Sequence, residues 1–189
     1  MFDLIIYGTT GALGLCCTVG YIHKNRIKEN VYIDELTKMH NRKIMPKIKQ
    51  REKSGKRYCV ISADIDHFKN VNDTYGHAVG DAVLQTVAGT LLDSFKTDKD
   101  FVVRFGGEEF ICFIEKSENC LDVIEKRVNE VREKIEALEI LTSDMQLVKI
   151  TTSFGVSSED ELSLDARIEK SDKNLYKAKT TGRNKVILS

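Results

Sequence analysis

Arg57-Tyr-Cys-Val-Ile-Ser-Ala-Asp-Ile-Asp66 is the stretch on which the reading of this chain turns. Arg57 to Ala63 is a short apolar run of strand type, closed by two carboxylates, Asp64 and Asp66. Downstream, Val79, Ala82, Val83, Val87, Leu91 and Leu92 recur at helical spacing, so Val79 to Phe95 is expected to be a helix. Phe101 to Phe105 and Glu109 to Ile114 are two strand-like runs joined around Gly106-Gly107. A glycine pair there signals a hairpin, because tight hairpin turns need positive φ. An amphipathic helix is expected from Cys120 to Leu138, a strand from Gln146 to Val156, and a helix from Leu164 to Thr180 stopped by Gly182. Asn184 to Leu188 can close the sheet. Upstream, Lys24 to about Lys53 reads as helical with an interruption near Thr37–Arg42, and Pro46 suits the first turn of a second helix. Strands and helices mixed in this order imply an α+β sandwich rather than a parallel doubly wound fold.

Composition narrows the function. The 189 residues carry 29 Lys+Arg and 29 Asp+Glu, so net charge offers no field for a nucleic acid, and none is expected as partner. The five cysteines, Cys16, Cys17, Cys59, Cys112 and Cys120, make no CxxC and no zinc spacing, which suits a reducing compartment. No GxxxxGK[ST], HExxH or GxSxG occurs, so the usual nucleotide-loop, zincin and serine-hydrolase readings lose support.

The first segment reads differently. Leu4 to Ile22 carries no charge over nineteen residues. As a helix it would be about 28 Å long, close to the roughly 30 Å hydrocarbon core of a bilayer. Between Lys24 and Arg57 twelve Lys/Arg stand against four acids, Glu29, Asp34, Glu35 and Glu52. That asymmetry places the C-terminal side in the cytoplasm. A cleaved signal peptide or a buried soluble helix are the alternatives. Gly8, Ala12, Cys16 and Gly20 form a small-residue stripe of the kind that lets two membrane helices approach.

The acids carry the chemistry. If the hairpin lies beside the first strand, Asp64 and Glu108 converge at one sheet edge, a donor set that suits Mg2+. Acids that merely face water from strand ends are the plainer alternative. Read together, Asp64-Ile-Asp-His-Phe-Lys-Asn-Val-Asn-Asp-Thr-Tyr-Gly-His-Ala-Val-Gly-Asp81, Gly106-Gly-Glu-Glu-Phe110, Asp34-Glu-Leu-Thr-Lys-Met-His-Asn-Arg42, Ser153-Phe-Gly-Val-Ser157 and Asp172-Lys-Asn-Leu-Tyr-Lys-Ala-Lys-Thr-Thr-Gly-Arg-Asn184 resemble the ordered signatures of the GGDEF family of diguanylate cyclases, in the GGEEF form.

The resemblance implies a nucleotidyl-cyclase-like mixed sheet, a ferredoxin-like palm core flanked by helices, with residues 1–23 as a transmembrane anchor, 24–33 as a basic linker helix and 34–189 as the cyclase domain. It implies condensation of two GTP into cyclic di-GMP by a homodimer. Asp64, the carbonyl of Ile65 and Glu108 would hold one or two Mg2+, with Mn2+ the alternative, and Glu109 would assist proton removal. Asn72 and Asp81 would read guanine, Phe68 and Lys69 would offer backbone amides to phosphate, and Gly106 and Gly107 would leave room for it. Lys179 and Arg183 would hold the terminal phosphates, although both also suit a helix C-terminus. The implied location is the bacterial inner membrane, single-pass through residues 4–22, with the catalytic domain cytoplasmic.

Two departures stand out. The family's Arg-x-x-Asp product-binding motif is here Thr97-Asp-Lys-Asp100, and threonine has no guanidinium. Lys38 stands where glycine is usual. A catalytically silent GTP-binding scaffold and a cyclase that uses ATP are the rival functions.

Overall fold

A computed structural model of the protein describes residues 31–95, 97–116 and 120–188. The expected membrane segment, residues 4–22, and most of the linker lie outside them. Among the described residues no helix is long and apolar enough to cross a membrane. From Asp34 onward the chain forms one compact unit.

Its elements run β1 (His40–Asn41), a 3-10 turn (Arg42–Ile44), α1 (Met45–Lys53), β2 (Tyr58–Ile65), α2 (Phe68–Tyr75), α3 (His77–Phe95), β3 (Phe101–Gly106), β4 (Glu109–Glu115), α4 (Cys120–Glu136), β5 (Ile140–Leu141), β6 (Leu147–Val148), β7 (Thr152–Ser157), α5 (Leu164–Thr180) and β8 (Val186–Leu188). Six strands make one mixed sheet in the order β1-β3-β4-β2-β7-β8, and β5 and β6 pair separately. Only the outer pairs, β1 with β3 and β7 with β8, are parallel.

All eight residues of β2 are buried, which is why its sequence runs apolar without alternation. Cys59, Ile61, Ala63 and Ile65 join Phe110, Cys112, Ile114, Val83, Val87, Leu91 and Val128 in the core. The opposite face meets α5. Arg167 donates to the carbonyl of Tyr58 and pairs with Glu52, and Ser62 bonds both Ser171 and Asp172. Gly155 allows this approach. A Cβ there would lie 2.1 Å from the Ser171 carbonyl oxygen and 2.2 Å from the Leu175 nitrogen.

The expected α+β architecture and the hairpin are present. Pro46 sits in the first turn of α1, and α5 has the expected bounds. Four expectations change. Residues 31–41, expected to be helical up to an interruption near Thr37–Arg42, hold turns and β1, and the α-helix begins only at Met45. The first strand continues to Ile65, because Asp64 and Ile65 still pair with neighbours. The expected single strand from Gln146 to Val156 is broken into β6 and β7. Thr151 is diverted between them, its carbonyl accepting from the Asp66 N–H and its hydroxyl donating to the Asp66 carboxylate. Phe68 and Lys69 lie on a helix, α2, that the sequence reading did not foresee.

Gly155→Ala is expected to cost about 1–3 kcal/mol in urea unfolding, since backbone rather than a pliable side chain fills the space. Unchanged stability would show that α5 can ride higher on the sheet.

Candidate active site

Asp64 and the glycine bend meet at one sheet edge. Asp64 lies opposite Glu109 on β4 and opposite Ser153 on β7. The β3–β4 register shifts between Arg104 and Gly106, and Gly107 takes φ +49°, a left-handed conformation natural to glycine. A Cβ added at Gly106 or Gly107 would find nothing within 4 Å, so the bend faces open space.

The Asp64 side chain is only 7% exposed, and Lys179 Nζ stands 2.7 Å from its Oδ2. Burial pushes the Asp64 carboxyl up to about 6; the Lys179 ammonium pulls it down, while the charges of Glu108 and Glu109 raise it further. Two carboxylates and one ammonium thus act on Asp64, and both predicted acids of the bend are among them. Helical phasing explains Lys179. It lies seven residues, about two turns, beyond Asp172, which already faces Ser62 on the same strand face as Asp64.

Asp66 serves the frame. Its carboxylate accepts from Thr151 Oγ1 at 2.7 Å, Ser153 Oγ at 2.7 Å and the Asn184 N–H at 3.1 Å. The asparagine ending the last motif is thereby tied to β2, and its side chain to Arg132 and Glu136.

Phe68 and Lys69 open α2 behind His67, which has φ +57° and makes no side-chain cap bond. The first amides of a helix have no intrahelical acceptor, so these N–H groups are available to an anion. The Lys69 ammonium itself turns to Asp73, four residues on. Asn72 is half-buried against α3, and Asp81 is exposed there. A Cβ at Gly80 would fall 1.9 Å from Asn72 Oδ1, so this glycine makes room for the carboxamide. Arg183 is exposed just past α5 at φ +60°, its N–H donating to the Ala178 carbonyl at 2.9 Å. A cavity of about 300 Å³ beside the acids is lined by Glu109, Lys179, Phe105, Leu175 and Tyr176 among others.

Sequence reading missed Arg104. Its Nε donates to the Gly107 carbonyl at 2.9 Å and its Nη1 to Asp34 Oδ1 at 3.1 Å. It clamps the bend to the opening turn, where Asp34 Oδ1 also accepts from the N–H and hydroxyl of Thr37. The available signal was a cation inside the apolar run Phe101-Val-Val-Arg-Phe105. Lys38, in that turn, has φ +60°, which explains why glycine is usual there. At the divergent product motif, Thr97 Oγ1 donates to Asp100 Oδ2 at 2.7 Å, and Asp100 Oδ1 accepts from the Glu115 N–H at 2.8 Å.

The family model "Diguanylate cyclase, GGDEF domain" matches residues 31–185. The chain belongs to the GGDEF diguanylate cyclase domain family. It is 37% identical over 174 residues to the probable diguanylate cyclase DgcT of Escherichia coli, covering 86% of this chain and 37% of that protein. It is 41% identical over 133 residues to diguanylate cyclase A of Treponema denticola, covering 69% of this chain and 34% of that one. The chain therefore spans about a third of the length of these relatives. The crystal structure of the coiled coil and GGDEF domain of DgcB from Caulobacter crescentus, in complex with c-di-GMP, superposes with a TM-score of 0.85 at 26% identity, covering 97% of this chain and 99% of that one. The active GGEEF domain of a Vibrio cholerae diguanylate cyclase gives 0.63 at 29%, covering 75% and 88%.

Burial alone would raise the Asp34 carboxyl, but the hydrogen bonds from Thr37 and Arg104 hold it below its ordinary 3.8. A depressed folded-state pKa contributes stability above the unfolded value and loses it as pH falls through the folded one. Asp34→Asn should therefore lose less stability than the unaltered chain between about pH 5 and about pH 3, by urea titration. An identical acid slope would remove Asp34 as a contributor.

Proposed function

We propose that this chain condenses two GTP molecules into cyclic di-GMP, with release of two pyrophosphates. The observation that carries this is Asp64 paired opposite Glu109, with Glu108 and an open diglycine bend next to it and Lys179 on the Asp64 carboxylate. In each half-reaction the 3′-oxygen of one nucleotide bonds to the α-phosphorus of the other, and the bond to pyrophosphate breaks.

The donor set suits a hard divalent cation: two carboxylates, Asp64 and Glu108, and the Ile65 carbonyl. Among the described residues no three His, Cys, Asp or Glu are gathered into a metal cage. The remaining ligands would come from phosphate oxygens and water, as is usual for Mg2+, with Mn2+ the alternative. The chemistry such an ion supplies is charge neutralisation at the α-phosphate and a lower pKa for the attacking hydroxyl. Glu109 would assist removal of the hydroxyl proton. Asn72 and Asp81 read the guanine edge, a carboxylate accepting from N1–H and N2–H2, which adenine does not offer. The α2 amides of Phe68 and Lys69, with Lys179 and Arg183, hold the phosphates.

Each domain holds one nucleotide, and the product is two-fold symmetric, so the active species is a two-fold homodimer. The uncharged segment from Leu4 to Ile22 and the basic stretch after it favour a single-pass anchor in the bacterial inner membrane, with this domain on the cytoplasmic side.

The full chain, incubated with GTP and Mg2+, should yield cyclic di-GMP, and Glu108→Ala should lower the rate roughly 10²-fold or more. Absence of product from a folded dimer would leave the silent scaffold as the better reading. Thr97 supplies no guanidinium at the first position of this segment, and Asp100 is already engaged by Thr97 and the Glu115 N–H. Added cyclic di-GMP should not slow turnover through that site, whereas Thr97→Arg should confer product inhibition. Inhibition of the unaltered chain that Asp100→Ala abolishes would contradict this.

A further inference from the structure

The expected roles of Asp64 and Lys179 conflict with their observed partnership. Asp64 is to hold a divalent cation and Lys179 a phosphate, yet each is occupied by the other, Nζ to Oδ2 at 2.7 Å. We infer that Lys179 is a placeholder cation: it neutralises Asp64 in the nucleotide-free chain and leaves it when a triphosphate arrives, so that this side chain adds to the coupling that phosphate ligands on the metal already provide. The inference rests on the cyclase reading of the site.

The backbone around the pair has little freedom to respond. Asp64 is held in register by strands on both sides. On α5 the Asn174 amide donates to the Val156 carbonyl at 2.7 Å, and Ser171 and Asp172 bond Ser62. Gly155 brings the α5 backbone against β7. An exchange of partners therefore falls to the side chains. Lys179 is built for it: its ammonium sits on a flexible four-carbon stem, in the last turn of α5, and its side chain is 33% exposed against 7% for Asp64. Asp64 is the fixed member and Lys179 the movable one.

The electrostatics set the order. An ammonium on Asp64 Oδ2 takes one of the lone-pair sets a metal needs, and two cations on one carboxylate repel. Without a triphosphate, a displaced Lys179 gains only water. With one, it gains charge-assisted bonds to phosphate, and the vacated Asp64 oxygen gains the metal. Linkage is reciprocal, so the metal must strengthen nucleotide binding by the same factor by which nucleotide strengthens metal binding. The pair thus keeps a buried carboxylate compensated between turnovers.

The test measures Mn2+ binding to the full chain by electron paramagnetic resonance, alone and with a GTP analogue bearing a methylene bridge between the α- and β-phosphates. Binding of Mn2+ by the free analogue is subtracted. The unaltered chain should bind Mn2+ weakly alone and at least about tenfold more tightly with the analogue, inside the roughly 5- to 150-fold span of such couplings. Lys179→Met should raise nucleotide-free Mn2+ affinity about tenfold and shrink the enhancement by the analogue by about the same factor, leaving the part that phosphate oxygens on the metal supply. Lys179→Gln, which keeps a polar end, should do the same and guards against a packing defect in the methionine variant. Equal nucleotide-free affinities in the unaltered chain and both variants, with Mn2+ bound, overturn the placeholder role and leave the cyclase reading standing. No Mn2+ bound by any of the three proteins, with or without analogue, overturns the metal assignment of Asp64 as well.

Discussion

A strand with no exposed residue must find a partner for every backbone group and a neighbour for every side chain, and β2 is that strand. It bonds β4 along one edge and β7 along the other, so its last residues cannot drift. The position of Asp64 is thereby set by the same ladder that builds the core. The acids of the hairpin take their places relative to it through the β2–β4 register. Glu109 stands on paired backbone as Asp64 does, and Glu108 lies one residue before it in the turn.

The two faces of β2 do different work. Cys59, Ile61, Ala63 and Ile65 enter the apolar core, and Ser62 and Asp64 meet polar groups of α5. A row of polar contacts under a helix costs desolvation, which is why each member needs a partner. Arg167, Ser171 and Asp172 find theirs on β2 or α1. Asp64 finds Lys179, the last polar contact of that row toward the helix C-terminus. The site lies where this polar row reaches the surface.

Much of this was legible in the residues. Apolar runs and glycine placement marked the hairpin, α5 and the central strand, because buried strands and capped helices leave dense local signals. α2 escaped because Phe-Lys-Asn-Val-Asn-Asp-Thr-Tyr is mostly polar; yet Phe68, Val71 and Tyr75 fall at helical spacing, and the first two are buried. The break before β7 escaped because its cause, Asp66 capturing Thr151, joins residues 85 apart in sequence. Arg104 and Gly80 escaped for a different reason, since Gly107 and Asn72, which they meet, lie close in sequence. Their importance lies in the Gly107 carbonyl and the Asn72 carboxamide, which only folding brings to them. The partnership of Lys179 with Asp64 was hidden behind the separate roles that the family resemblance suggests for each.

Lys38 adds one more property. A lysine held at φ +60° carries about 1 kcal/mol of backbone strain that glycine would not. That strain sits in the turn whose Asp34 grips Arg104, and Arg104 in turn grips the diglycine bend. Strain there lowers the turn's margin against transient opening. Each such opening frees the guanidinium from one of its two anchors, so the tether of the diglycine bend rests in part on a loop seventy residues away.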